Sequence, residues 1–162
     1  MRRLLTLTVL AFALAAPAVA LADAFALAGD GTIVLKNADG RVFVKGNGVF
    51  IGHIQHVVKM TVNDPFPFDG DGPPIVTNYD EKTELGTKTT YTGDDVRLKL
   101  LGGRYTIQIK GTGISLSGVG SGVVYLDGDG TRSHPADGVY SLDGSPFRTL
   151  PNVWTGPVPF GL

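Results

Sequence analysis

Two short stretches set carboxylates in a pattern that could hold a cation. Asp69-Gly70-Asp71-Gly72 and Asp127-Gly128-Asp129-Gly130 each place two aspartates at i and i+2, as calcium loops do. Neither completes the twelve-residue loop of an EF-hand. Counted from Asp127, position six is Arg132 rather than glycine, and position twelve is Gly138 rather than glutamate; from Asp69, position six is Pro74. The glycine-rich nonapeptide calcium repeat is also missing. Turn chemistry accounts for these residues without a metal, and calcium is the one cofactor they suggest.

Other residue types offer less. His53 and His56 have a spacing that metals use on helices, but an offset of three on a strand sends two rings to opposite faces. With no carboxylate close in sequence, they read as ordinary strand-end histidines. Ser115, Ser117 and Ser121 lie among glycines, yet none sits in Gly-x-Ser-x-Gly. Gly118-Val119-Gly120-Ser121-Gly122 resembles a phosphate loop, but Val123 and a strand follow where a helix N-terminus is needed. No catalytic residue is identified. Glu81 and Glu84 sit in an exposed Thr-rich stretch without the apolar surroundings that raise a carboxyl pKa, and Asp94-Asp95 reads as a turn. Phe66 and Phe68, alternating with Pro65 and Pro67, could form a sugar- or partner-binding tip or plug the open end of a sheet stack. Trp154 has the same two readings.

The elements that would position these groups are strands. From Asp95 to Asp127 apolar and polar residues alternate: Val96, Leu98 and Leu100 on one parity, then Tyr105, Ile107 and Ile109 beyond Gly102-Gly103. Two such runs joined by Gly-Gly predict a β-hairpin. Its apolar side needs cover, because burying Leu98, Leu100, Tyr105, Ile107 and Ile109 contributes roughly 8–15 kcal/mol while ordering the hairpin backbone costs more. Asp-Gly recurs at Asp30, Asp39, Asp69, Asp71, Asp127, Asp129, Asp137 and Asp143, and Asn47-Gly48 adds a further turn dipeptide. Turns at Ala38-Asp39-Gly40 and Asn47-Gly48 predict a meander of Thr32–Asn37, Arg41–Lys45, Val49–Ile54 and Val57–Asn63. Asp64–Pro74 holds four prolines and predicts a crossover loop, and Glu84–Thr92 predicts an exposed strand.

The fold class that follows is all-β: an antiparallel β-sandwich or flattened barrel of about 8–10 short strands. The glycine spacing between Gly102 and Gly122 leaves a short β-solenoid as the alternative. Thirteen of the fifteen acidic residues are Asp, and the 23 glycines agree with a protein of many corners.

Met1-Arg2-Arg3 followed by the apolar Leu4–Leu14, Pro17 and small residues predicts a signal peptide over residues 1–22. Residues 23–162 then form a single β domain with a Pro-rich tail over about 145–162, expected to run extended and pinned by Phe147, Trp154 and Phe160. The expected location is secreted, extracellular or at the cell envelope. No further segment is long and apolar enough to span a membrane as a helix after signal removal. The absence of cysteine excludes disulfides and thiolate metal sites. Without Arg2 and Arg3, 12 basic residues face 15 acidic ones, a net charge of −3 that gives no reason to expect nucleic acid as partner.

At Gly102–Gly130 (GGRYTIQIKGTGISLSGVGSGVVYLDGDG) and Asp137–Gly144 (DGVYSLDG) the chain resembles a loose group of secreted, glycine-rich bacterial all-β proteins. The resemblance implies export and β structure and brings no activity. Together these readings imply a secreted, non-catalytic β module acting by binding or structural contact, with an envelope or extracellular polymer as partner. A small carbohydrate-active or other hydrolase using Asp and Glu residues gathered by the fold is the alternative. A calcium-stabilised adhesive domain is the second.

Overall fold

Alternation carries the backbone much further than the turn dipeptides suggest. The computed structural model describes residues 30–67, 70, 72–130 and 137–161; the expected leader at 1–22 lies outside them. Two strands dominate: β1 (Gly31–Asn63) and β4 (Lys88–Gly128). Short strands complete the set: β2 (Ile75–Thr77), β3 (Glu81–Leu85), β5 (Val139–Leu142), β6 (Arg148–Thr149) and β7 (Val158–Phe160). The fold is all-β, and every ladder among the described residues is antiparallel. The parallel coils of a solenoid do not occur in it.

The long strands pair with each other twice. Val42 lies between Ile109 and Leu126, Ile109 between Val42 and Met60, Met60 between Ile109 and Tyr91, and Tyr91 between Met60 and Lys82. A line across the sheet therefore meets β4, β1, β4, β1, β4 and β3 in turn. β1 and β4 make one ribbon, and the right-handed twist of its strands coils it until its outer edges meet and pair. The sheet wraps without closing into a hydrogen-bonded barrel. Its inner face supplies both layers of the core. Leu98, Leu100, Ile107 and Ile109 are buried there, as the alternation requires, together with Ile33, Leu35, Phe50, Ile54, Met60 and Leu116.

The expected reversals at Gly102-Gly103, Asn47-Gly48 and Ala38-Asp39-Gly40 are corrected: the strands run straight through all three. The ladder steps from Asn47–Arg104 to Val49–Leu101, so Gly102 and Gly103 together oppose Gly48. Two residues against one is a β-bulge. Bulges and tight hairpins both use left-handed backbone, which Gly, Asn and Asp supply, so a turn dipeptide cannot tell them apart. Burial parity records each bulge. In β4 the buried residues run Tyr91 and Gly93, then Val96, Leu98 and Leu100, then Tyr105, Ile107, Ile109, Gly111 and Gly113, then Ile114, Leu116, Gly118 and Gly120. The shifts fall at Asp95 (φ 54°), Gly102-Gly103 (φ 144° and 89°) and Gly113 (φ 64°). In β1 the first shift falls at Asn37 (φ 49°). Glu84–Thr92 is likewise not one strand: β3 returns through Gly86-Thr87 into the start of β4.

Candidate functional site

On the outer face, three cations stand in one row across the coiled ribbon. Lys59 faces Lys110, Lys110 also faces Arg41, and Arg41 faces Asp127. The next row reads Thr61, Gln108, Phe43 and Tyr125. Alternation puts these side chains outward because Met60, Ile109, Val42 and Leu126 between the rows point into the core.

Trp154 completes this face from the tail. Its ring stacks on Tyr125 with centroids 5.9 Å apart and planes 19° apart. Phe43 meets Tyr125 edge-on at 5.3 Å. The Arg41 guanidinium lies 5.3 Å from the Trp154 ring centre and is itself held by Asp127, whose Oδ2 accepts from Arg41 Nε at 2.8 Å and also from Nη2. The backbone fixes the tail in place. Thr155 N–H donates to the Leu126 carbonyl at 2.9 Å, Thr155 Oγ1 accepts from Leu126 N–H at 2.9 Å, and Gly128 N–H donates to the Pro151 carbonyl at 2.7 Å. Trp154 is nonetheless 46% exposed. A hollow of about 310 Å³ opens beside it, lined by Arg41, Phe43, Lys59, Thr61, Gln108 and Lys110. A second, of about 440 Å³, lies across the Arg41–Lys110 row and includes Thr112, Asp127, Asp129 and Asn152.

The residues singled out from the sequence separate in space. Trp154 belongs to this face. Phe66 lies against Arg104 at 5.5 Å and is 51% exposed, so it does not plug the core. Phe68, Asp69 and Asp71 lie outside the described residues, as does His134. Asp127 is occupied by Arg41, and the exposed Asp129 is tied through its N–H to the Asp39 carbonyl at 3.1 Å. Among the described residues no three His, Cys, Asp or Glu side chains converge as metal ligands do. The tail expectation is corrected in part. Phe160 is fully buried and packs edge-on against Phe50 at 6.4 Å, whereas Phe147 stays half exposed beneath Lys36.

The histidines are a second correction. His53 and His56 both lie on the outer face, because the inward alternation shifts between Ile54 and Val57, where β1 passes the left-handed Asp95 and Gly113 of β4. Each has a carboxylate from the neighbouring pass of β4: His53 Nε2 is 2.5 Å from Asp95 Oδ1, and His56 Nδ1 is 2.5 Å from Asp94 Oδ1. Asn78 Nδ2 also donates to Asp95 at 3.1 Å, and Arg97 stands 3.8 Å away. The His53 hydrogen bond, above all, holds the Asp95 carboxyl below the usual aspartate range, with Asn78 and Arg97 acting the same way. An open groove of about 520 Å³ adjoins His53, Arg97, Lys99, Ser115 and Ser117. Ser115 faces His53 across the ladder, but its Oγ accepts from Asn37 N–H at 3.3 Å. The His53 and Asp95 side chains are 47% and 56% exposed, so water competes for both. The sequence could not reveal these pairs, since their members are 42 and 38 positions apart.

Comparison with protein-family models, curated proteins and solved structures finds no match for this chain.

Proposed function

We propose that this is an exported, non-catalytic binding module that holds an extracellular or envelope polysaccharide on the outer face of its coiled sheet. One observation carries the reading: Trp154 is presented to solvent on a rigid stack, with Tyr125 beneath it, Arg41 clamped against it and backbone hydrogen bonds on the following residue. Phe66 and Phe147 are exposed to a similar degree, and what sets Trp154 apart is that Tyr125, Arg41 and the backbone hold its ring in place. The apolar C–H face of a sugar suits such a ring, and Gln108 in the adjoining hollow offers hydrogen-bonding groups for its hydroxyls. A platform held this firmly loses little further entropy when ligand arrives. Export rests on the signal-like residues 1–22 and on the likeness to secreted glycine-rich β proteins.

Trp154 is the sole tryptophan of the chain, so its fluorescence reports directly on the platform. Titration of the mature protein with a panel of neutral and acidic polysaccharides is expected to shift its emission saturably. Binding measured by calorimetry should weaken in Trp154→Ala by about 2 kcal/mol, a factor of roughly thirty. A flat titration across the panel would refute the reading.

A further inference from the structure

We infer that the ligand of this face is an acidic polysaccharide, with Lys59, Lys110 and Arg41 recognising its carboxylates. The inference rests on the polysaccharide reading above and adds the charge of the ligand to it.

Lys59 and Lys110 are cross-strand partners, and Lys110 is also the partner of Arg41. Like charges directly opposite one another on a sheet destabilise it. Arg41 has Asp127, but among the described residues no carboxylate lies within 4.0 Å of Lys59 or Lys110. The repulsion is therefore left standing at the mouth of the hollow beside Trp154. Lysines often guard the free edges of sheets. That role does not fit Lys110, which has a strand on each side.

The wider charge distribution points the same way. β1 and β4 together carry nine Lys and Arg (36, 41, 45, 59, 88, 97, 99, 104 and 110) against four Asp (39, 94, 95 and 127). All four carboxylates are occupied: Asp39 accepts from Gly113 N–H, Asp94 from His56, Asp95 from His53 and Asp127 from Arg41. Those strands are thus +5, while the rest of the chain, with five cations and eleven acids, is −6. A near-neutral total conceals two cationic strands and an acidic remainder, so the net charge is a poor guide to the partner. The Lys59–Lys110–Arg41 row runs across the strands, which suits a repeating acidic chain laid across them. Exposed aromatic stacking selects rings, and the adjacent cations select anions. Uronate polymers offer both.

The test compares binding of the mature protein to polygalacturonate, alginate and hyaluronate with binding to methyl-esterified polygalacturonate, which keeps the sugar backbone and loses the charge. Trp154 emission is the readout, and oligo(dT) serves as a nucleic-acid arm. At least one uronate polymer should bind tenfold or more tighter than the ester, with affinity falling as salt rises. The double variant Lys59→Gln/Lys110→Gln should lose most of that difference, keep its affinity for the ester, and melt at the same or a higher temperature because the repulsion is gone. Equal binding of acid and ester overturns the inference while leaving the polysaccharide reading intact. No binding to any of the polysaccharides overturns both. Tighter binding of oligo(dT) than of every uronate overturns the inference and assigns the face to nucleic acid.

Discussion

Gly48 stands directly across the ladder from Gly120, and neither position has room for a side chain. A Cβ on Gly48 would sit 2.2 Å from the Val119 carbonyl oxygen, and one on Gly120 would sit 2.1 Å from the Asn47 carbonyl oxygen. Both residues have φ values near 150°, and Gly46 faces Gly122 two positions along. Bare backbone therefore meets bare backbone where the ribbon pairs with itself. Phe50 fills space that Gly118 leaves empty, so ring packing replaces the missing side chain.

Gly120→Ala and Gly48→Ala should each lower stability by about 3 kcal/mol or more, since ladder separation adds to backbone strain. Gly86→Ala has φ 60° but open space around it, and should cost only about 1 kcal/mol. Urea denaturation midpoints for the three variants test this order. Equal losses would mean the seam is not tight.

The glycines also show what could be read from sequence and what could not. Alternation through Val96–Leu100 and Tyr105–Ile109 identifies strands and the correct inward faces, because period two is a local property. Whether Gly102-Gly103 reverses the chain or only bends it depends on the partner strand. That partner is Val49 and its neighbours, some fifty residues away. The cationic row is hidden for the same reason: Arg41, Lys59 and Lys110 look unrelated until the coil places them side by side. Trp154 was visible as a binding candidate from its residue type, but its neighbours Tyr125 and Arg41 were not.

The tail should depend on one ring. Phe160 is fully buried against Phe50, and its strand β7 pairs with β4 at Gly122–Val124. Phe160→Ala should cost about 3–5 kcal/mol, whereas Phe147→Ala, at a half-exposed ring, should cost under about 1 kcal/mol. Thermal melts together with limited proteolysis of the C-terminal segment would check both values. Similar losses for the two would show that the tail is held by its backbone alone.

Arg41 and Asp127 should respond unequally to removal. The Asp127 side chain is 9% exposed and that of Arg41 is 60% exposed. Without Asp127, Arg41 regains water; without Arg41, a nearly buried carboxylate is left with less to neutralise it. Arg41→Leu should therefore destabilise by about 1–3 kcal/mol and Asp127→Asn by less than about 1 kcal/mol. Chemical denaturation of both, with the double variant closing the cycle, measures the coupling. A larger loss in Asp127→Asn would reverse the assignment.

Asp95 should titrate below the ordinary aspartate value, because His53, Asn78 and Arg97 all favour its charged form. The sign follows from linkage. A carboxyl whose folded pKa is depressed contributes stability above its unfolded value of about 3.9 and loses that contribution as pH falls through the folded value. Since the pair is half exposed, solvent screens it and the change in melting temperature should be slight. The decisive measurement is the titration itself, followed through the Asp95 side-chain carboxyl by NMR. Its midpoint should lie below 3.9 in the native protein and move up in His53→Gln, while Lys99→Gln, two positions beyond Arg97 on the same face, should move it far less. An unchanged midpoint in His53→Gln would mean that the ring does not hold the carboxylate in solution.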